Sequence, residues 1–508
     1  MPDTAALSSI MSSSASSAPS SAASPATTSP ATASPISTSL SAIAAPDRQD
    51  AGIRPAITAP PHYDLLLLDA TIVTGDASQP TITDGAIGIT GTYLTFVGTR
   101  ANLPLGATAS DTRHLPGRVI TPGYVNVHTH TILSMVRGVA EDLGFAPAYT
   151  PGIPHGHDVR PDEAIALARL GAMEAMLFGS TLINDSYVHA DLTLGAMADL
   201  GLRVYACGRL HDVEFSGVAD GRWEYHTSIG DRTLREALAL ADKWHGKTGG
   251  RTGVQLAVHA PDTCSDDFLK RIAAEAHARD LGVTSHLAQS RTEVAQVMRR
   301  SGKTPAQLFE DVGILNNRLV AAHCLFLDDA DIARVGRAGI NVAHIPKGNA
   351  TGGTMAPTPK LRAAGARIAL GTDNMHGDMT EVMRWALAIA RIQLDAVAPD
   401  WQPADALTMA TANGAAAMGL QDSLGILRTG FLADVTVFDF RRAHLTPYPN
   451  PLGTLVHTGQ GRDVEMVVVD GRVVVQDGRP TLCDAEEVIR EGNRAAQQLW
   501  ARAREHAV

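Results

Sequence analysis

Apolar residues follow two different rhythms along this chain, and the change of rhythm divides it. From Tyr63 to about residue 117, and again from about residue 423, short apolar runs are bounded by Gly, Asp and Pro, as β-strands and turns require; examples are Asp64–Leu68, Thr71–Val73, Ala86–Ile89, Tyr93–Val97, Ala433–Asp439 and Val464–Val475. Between these flanks, apolar runs of strand length alternate with amphipathic stretches at helical spacing, among them Asp162–Phe178 behind the start signal Pro161, Asp266–Arg279 and Asp328–Ala338. The strand candidates are the run ending at His128, Thr181–Asp185, Arg203–Cys207, Val254–His259, Gly282–His286, Leu319–His323, Ile340–His344 and Ile368–Asp373. Eight strands with helical crossovers in about 300 residues predict an α/β fold, a (β/α)8 TIM-type barrel, whose active site lies at the C-terminal strand ends. The two β-rich flanks predict one small β-sandwich made from both chain ends. The expected organisation is therefore a tail over 1–55, sandwich over 56–117 and 423–485, barrel over 118–422 and a C-terminal helix over 486–508.

Four of these strands end in residues that bind metals. His128-Thr129-His130 closes the first, and residues two apart on a strand face the same side, so both imidazoles can meet one ion. His286, His323 and Asp373 close the fifth, sixth and eighth. A buried strand has no solvation reason to end in His or Asp, and packing alone does not place four such ends in one chain. Further polar residues sit at the same level. Asp185 and Tyr187 follow the second strand and suit either substrate contact or support of a ligand imidazole; His259 and His344 end the fourth and seventh. Asn374 and His376 adjoin Asp373 and either face substrate or cap a helix beginning near Asp378. The loop from Leu133 to Asp158 should overhang the barrel mouth; its His155-Gly156-His157 lacks strand geometry and is read as a non-ligand pair.

Composition narrows the class. The chain has 508 residues, 44% hydrophobic and 19% charged, which can bury a large core. A formal net charge of -11 argues against nucleic acid as a partner. The four cysteines, Cys207, Cys264, Cys324 and Cys483, are far apart and form no CxxC pair, so a disulfide framework is not expected. Residues 1–55 are Ser, Ala, Thr and Pro in low-complexity order and read as a disordered tail without a signal-peptide or transit-peptide pattern. No apolar run reaches the ~18 residues of a membrane span, so the expected location is cytoplasmic and the expected partner a small molecule.

Taken together, Pro122-Gly123 before His128-Thr129-His130, Val258-His259-Ala260-Pro261, Ser285-His286-Leu287-Ala288, Ala322-His323-Cys324, Met355-Ala356-Pro357 and Gly371-Thr372-Asp373-Asn374 resemble the amidohydrolase superfamily over about residues 62–480. The likeness is to its branch of 5-methylthioadenosine/S-adenosylhomocysteine deaminases and triazine chlorohydrolases. It implies that His128, His130, His286 and Asp373 hold one divalent metal, that His323 stands by the attacking water, and that the protein is a homodimer or higher homo-oligomer. Mixed nitrogen and oxygen ligands suit zinc, the expected metal, or iron(II). Such an ion lowers the pKa of a bound water from about 15.7 to about 7. Asp373 can accept a proton from the water, and His323 can stabilise developing charge. The fourth strand ends in His259 with no lysine beside it, so the carboxylated lysine of two-metal relatives is missing and one metal is expected. Lys347, after the seventh strand, is taken as a substrate-side cation rather than a second-metal ligand.

Two departures from the branch bear on the reaction. Where deaminases read His-Leu-Ala-Glu, this chain reads His286-Leu287-Ala288-Gln289, and a carboxamide orients substrate but neither gives nor takes a proton near neutral pH. The seventh strand continues as His344-Ile345-Pro346-Lys347-Gly348-Asn349 where relatives show a Ser-Asn pair. The expected function is metal-dependent hydrolysis of a non-peptide C–N bond, of amide, urea, carbamate or amidine type, in a small cyclic or aromatic nitrogen compound. The expected site comprises Asp373, His323 and Gln289 as catalytic residues and His259, Asp185, His344, Asn374 and Lys347 toward substrate. Alternatives are a ring deaminase of purine- or nucleoside-like substrates, a hydrolytic dehalogenase of chlorotriazine-like compounds, and a metal-binding barrel without activity.

Overall fold

The computed structural model describes residues 60–143, 149–150, 152–374 and 376–506, so the tail expected over 1–55 lies outside the described residues. Eighteen strands, counted from the order of elements, form two nine-stranded sheets.

The first sheet draws on both ends of the chain. Its strands are β1 (His62–Val73), β2 (Thr81–Thr90), β3 (Tyr93–Thr99), β4 (Thr108–His114) and β5 (Arg118–Pro122), together with four strands from the far end of the chain. In spatial order the far-end strands join at β5, which pairs antiparallel with Val435–Asp439 and parallel with β1. The two runs expected over Asp64–Leu68 and Thr71–Val73 are one strand, bent where Asp69 adopts φ 67° and the pairing with β2 shifts register. The bulge keeps the apolar residues on both sides of it buried.

The second sheet is parallel throughout. It runs β6 (Tyr124–Thr129), β7 (Ser180–Tyr187), β8 (Arg203–Leu210), β9 (Thr252–Val254), β10 (Leu256–Val258), β11 (Val283–Leu287), β12 (Leu319–His323), β13 (Asn341–His344) and β14 (Arg367–Leu370), with β9 off the main path beside β8. Helices cross between successive strands, for instance Pro161–Leu177 and Asp266–Ala278. The spatial order from β6 to β14 follows the chain, and the two extreme strands are joined by a parallel bridge from Thr129 to Asp373. Strands buried on both faces account for the unbroken apolar runs in the sequence.

Two expected strands divide. The run from Val119 to His128 breaks at Gly123, placing Val119 and Ile120 in the first sheet and Val125 and Val127 in the second. Pro122 offers no N–H to continue a ladder, and a Cβ at Gly123 would lie 2.2 Å from Thr181 Cγ2, so the crossing needs glycine. Val254–His259 divides at Gln255, whose side chain accepts a hydrogen bond from Asn184 at 3.0 Å. The strands that continue are 16 (Val464–Val469), 17 (Arg472–Gln476) and 18 (Arg479–Pro480), following 15 (Val435–Asp439) in a meander. The two sheets are tied by Arg203, only 2% exposed, which donates to both carboxylate oxygens of Asp434 at 2.9 and 3.0 Å and to Asp470 at 2.6 Å. The final helix, Ala485–His506, closes on Pro161–Leu177, where Trp500 donates to the Met135 carbonyl at 2.8 Å and Arg502 pairs with Glu163. Among the described residues no helix is long and apolar enough to cross a membrane.

Candidate metal centre

The site begins with a polar clamp between the first and last strands of the parallel sheet. Asn126, fully buried on β6, donates to Thr372 Oγ1 at 2.7 Å and accepts from the Thr372 amide at 3.2 Å. Two backbone bonds continue the clamp: the Asp373 amide donates to the His128 carbonyl at 2.9 Å, and the His130 amide to the Asp373 carbonyl at 3.0 Å. These bonds hold Asp373 in the left-handed region at φ 62°, and His323 at the end of β12 sits at φ 72°. Non-glycine residues in that region carry strain that the surrounding structure must over-determine, and such positions cluster at functional sites.

The clamp brings five side chains together. Ring nitrogens of His128, His130 and His286 lie within 4.8 Å of one another, and so do ligand atoms of His128, His323 and Asp373. Asp373 Oδ1 stands 3.4 Å from His130 Nε2 and 3.6 Å from His128 Nε2, while Oδ2 is 3.8 Å from His323 Nε2. His130 Nε2 and His286 Nε2 are 3.3 Å apart.

The outer nitrogens decide which ones face inward. His130 Nδ1 donates to the Ser186 carbonyl at 2.6 Å, and His286 Nδ1 donates to the His259 carbonyl, so each Nε2 is left with its lone pair toward the centre. His323 Nδ1 pairs with Asn349 Oδ1 at 2.9 Å. His128 is 1% exposed, yet both its ring nitrogens are without a hydrogen-bond partner. Buried polar atoms are ordinarily satisfied, so an orphaned imidazole among inward-facing lone pairs fits a cation.

Burial, reinforced by neighbouring imidazoles, pushes His130 down to about 3 and His286 well below its ordinary range, and burial also lowers His323. These rings are neutral, the form that binds metal. Burial works to raise the Asp373 carboxyl, but the polar approach of His128 at 3.6 Å and the neighbouring His323 and His130 outweigh it and hold it at about 2, so it is ionised. Three neutral imidazoles and one carboxylate are a donor set for a divalent metal.

The amidohydrolase family model matches residues 119–474, most of the chain and all five of these residues. The chain belongs to the amidohydrolase family. Among its relatives, a 5-methylthioadenosine/S-adenosylhomocysteine deaminase from Desulforudis audaxviator is 33% identical over 445 residues, covering 86% of this chain and 99% of that protein. A 5'-deoxyadenosine deaminase from Methanosarcina barkeri is 31% identical over 448 residues, covering 86% and 99%. In fold the chain is similar to an adenosine deaminase from Xanthomonas campestris solved with zinc, with a TM-score of 0.78 at 23% identity over 88% of this chain and all of that one. It is likewise similar to the atrazine chlorohydrolase of Arthrobacter aurescens TC1 solved with zinc, with a TM-score of 0.76 at 23% identity over 85% of this chain and 100% of that one.

The remaining residues singled out in the sequence fall into three groups in this amidohydrolase. His259 lines the small pocket at the metal centre, where its Nδ1 meets Thr263 Oγ1 at 2.9 Å and its ring stands 5.3 Å from that of His286. Gln289, on the loop after β11, has a buried Nε2 without a partner, and His344 is fully buried with both ring nitrogens unpartnered. Asp185 belongs to the support of the site: its Oδ1 accepts from the Thr131 amide at 2.7 Å and the Thr131 hydroxyl at 2.9 Å, fixing the turn after His130. Lys347 pairs with Glu381 at 2.7 Å and, with Asn374 and His376, lines a separate cavity. Neither Asn374 nor His376 caps the following helix; Asp378 does, accepting from the Glu381 amide at 3.0 Å.

Sequence reasoning passed over Arg209. It lies at the end of β8, lines the metal pocket, and also lines a cavity of about 830 Å3 that reaches Tyr187, His155 and Phe215. Its guanidinium packs 4.7 Å from the Tyr187 ring and 5.1 Å from the Phe215 ring, and among the described residues no carboxylate pairs with it. A cation two residues beyond the run Val204–Cys207 was the available signal. Glu293 was also missed: it accepts from the Ala288 and Gln289 amides at 2.7 and 2.8 Å and so shapes the loop that carries Gln289.

Proposed function

We propose that this chain hydrolyses a non-peptide C–N bond of a small nitrogen-containing ring compound, using one divalent metal held by His128, His130, His286 and Asp373. The observation that carries the proposal is the orphaned, buried His128 imidazole facing three more inward-pointing ligands. Zinc is the metal we favour over iron(II), in keeping with the zinc in both solved neighbours. When bound, such a metal supplies a water of lowered pKa and polarises the bond under attack.

The protein's own groups would then act as follows. Asp373, ionised in its buried setting, takes a proton from the water and returns it to the leaving nitrogen. His323, its Nδ1 committed to Asn349, presents Nε2 to orient the water; once protonated, the same nitrogen faces the developing oxyanion as a donor. Gln289 has a free Nε2 with which to donate to an acceptor on the substrate, and His259 lines the small pocket at the metal centre. The body of the substrate fits the cavity of about 830 Å3, where Arg209 offers a cation and two aromatic faces line the wall. His344 lies within electrostatic reach of His323, and Asn374 and Lys347 line the cavity of about 230 Å3.

We further propose a (β/α)8 barrel within 118–422 whose first strand is β6, supported by the chain-ordered parallel strands and the Thr129 to Asp373 bridge, joined to a β-sandwich made of 56–117 and 423–485 together with β5. A homodimer or higher homo-oligomer completes it.

A second reading, deamination of an adenosine-type ring, is favoured by the names of the relatives. Against it stands Gln289, which cannot shuttle a proton to a ring nitrogen, while Glu293 accepts from the Ala288 and Gln289 amides and is committed to holding that loop. The test is elemental analysis with product analysis: the purified protein should carry about one zinc per chain, lose activity to a chelator, and release amine or ammonia from amides, ureas or amidines. Fast ammonia release from an adenosine analogue would favour the second reading, chloride from a chlorotriazine would point to dehalogenation, and metal-free protein unaffected by added zinc would defeat all three.

A further inference from the structure

On the β14 side of the metal centre lies a second cavity, of about 230 Å3, walled by Arg137, Glu141, Glu174, Lys347, Asn374 and His376. It shares no lining residue with the cavity of about 830 Å3 on the Arg209 side. Its wall begins one residue beyond Asp373, the group that handles the proton in the proposed reaction.

The charges around it cancel unevenly. Arg137 is paired with Glu174, whose other oxygen accepts from the Gly377 amide at 3.1 Å, and Lys347 is paired with Glu381 at 2.7 Å. Glu141 has no ion pair among the described residues, and its buried Oε2 has no hydrogen-bond partner. Asn374, 3% exposed, leaves Oδ1 unpartnered, and both ring nitrogens of His376 are buried without partners. Burial and the nearby Lys347 ammonium push His376 down to about 4, so one of these nitrogens is an acceptor at neutral pH. Three polar side chains with orphaned buried atoms around one void mark the place of a ligand, since such atoms are otherwise paired. Asn374 Oδ1, Glu141 Oε2 and one His376 nitrogen lack a donor, the other His376 nitrogen is a donor without an acceptor, and the unmatched charge is negative. The complementary ligand donates N–H bonds and carries or readily takes a positive charge.

We propose that this cavity receives the nitrogen leaving group, ammonia or a small primary amine, released by hydrolysis at the metal centre. The inference rests on the C–N hydrolase reading. In the overall step the water oxygen bonds to the substrate carbon, the C–N bond breaks with its electron pair on nitrogen, and one water proton travels through Asp373 to that nitrogen, so nothing is oxidised or reduced. The departing amine then stands next to Asn374 and Glu141, while the oxygenated product stays on the Arg209 side. At ~30 Å3 per water, the void of about 230 Å3 holds a group of up to about seven heavy atoms.

The test uses the zinc-loaded protein with methylammonium chloride, and sodium acetate as an anionic control, followed by calorimetric titration and by crystal soaking. Methylammonium should bind against Asn374 Oδ1 and Glu141, and its affinity should fall about tenfold or more in Glu141→Gln and in Asn374→Leu, as expected for loss of a hydrogen bond to a charged group. Zinc content, measured in parallel, should be unchanged in Glu141→Gln, which keeps the readout independent of the metal. Acetate in the cavity, methylammonium seen only at crystal concentration, or equal affinity in wild type and both variants would each overturn the assignment. An active hydrolase that ignores methylammonium would sink the pocket and leave the reaction standing; an inactive, metal-free protein that binds it would do the reverse.

Discussion

Asn349→Ala should slow this enzyme without emptying its metal site. The Asn349 side chain is 1% exposed, and its Oδ1 lies 2.9 Å from Nδ1 of His323, which is 2% exposed. Removing the acceptor strands the Nδ1–H in a buried setting, at a cost of ~1–3 kcal/mol. It also frees a ring whose Nε2 must stay aimed at Asp373. Loss of such an orienting partner lowers activity about 10- to 100-fold, equivalent to ~1.4–2.7 kcal/mol in the barrier. The two independent figures overlap, so we expect kcat/KM to fall about 10- to 100-fold and stability to drop by ~1–3 kcal/mol, with zinc per chain unchanged. Asn349→Asp separates orientation from bulk. The wild-type Nδ2 has no partner, so a carboxylate there loses nothing, still accepts from Nδ1, and raises the His323 pKa by its charge. It should retain activity within severalfold and move the acid limb of the kcat profile to higher pH. Steady-state kinetics on the best substrate of the hydrolysis panel, with metal analysis and urea unfolding, measures all three quantities. Asn349→Ala with activity within twofold of wild type would show that His323 does not depend on this bond, and the role given to its Nε2 would fall with it.

Arg209→Met removes a buried guanidinium that has no carboxylate partner among the described residues, so urea unfolding should show a gain of ~1 kcal/mol while substrate affinity drops; a loss of stability would mean the cation is satisfied within the protein. Arg203→Met leaves Asp434 and Asp470 facing each other without their shared cation and should cost ~3–5 kcal/mol, most of which Arg203→Met combined with Asp434→Leu should recover; a single-mutant effect below ~1 kcal/mol would contradict the tie between the sheets. Burial pushes the Asp185 carboxyl up to about 6 against the hydrogen bonds from Thr131, so the folded state binds this proton more tightly than the unfolded state. Its ionisation therefore weakens the fold as pH rises from about 4 to about 6, and Asp185→Asn should be more stable than wild type at pH 7 by up to ~3 kcal/mol, the gap closing by pH 4; parallel unfolding curves at every pH would refute it.

What could be read from the sequence was whatever burial writes into local pattern. The parallel strands are buried on both faces, so His128, His286 and His323 stood out as polar residues ending apolar runs, and the family match covers them. Strand β4 escaped notice because its residues, Thr108–His114, alternate between exposed and half-buried and carry almost no apolar signal. Its pairing beside β1 is a tertiary fact. The break at Gly123 was hidden for the opposite reason: apolar residues continue on both sides, and only the close approach of Thr181 shows that the chain changes sheets there.

The site divides along the same line. Ligands that end strands were visible one at a time, whereas groups whose meaning depends on a distant partner were not. Asn349 gains a role only because the chain brings it to His323, and Glu141 becomes notable only beside Asn374, more than 200 positions away. Gln289 shows how the two kinds of information combine. Its sequence position holds a carboxamide where the resemblance implies a carboxylate; the structure adds that Glu293, four residues on, accepts from the Ala288 and Gln289 amides and holds the loop that carries it. In the proposed reaction an ionised Asp373 returns the water proton to a basic leaving nitrogen, whereas protonating a weakly basic ring nitrogen beforehand needs a group that carries a proton and reaches the ring, a task the Gln289 carboxamide cannot perform. The unpartnered acceptors of Asn374 and Glu141 line a cavity that begins one residue beyond Asp373, so the carboxamide at Gln289 and this cavity favour the same class of substrate.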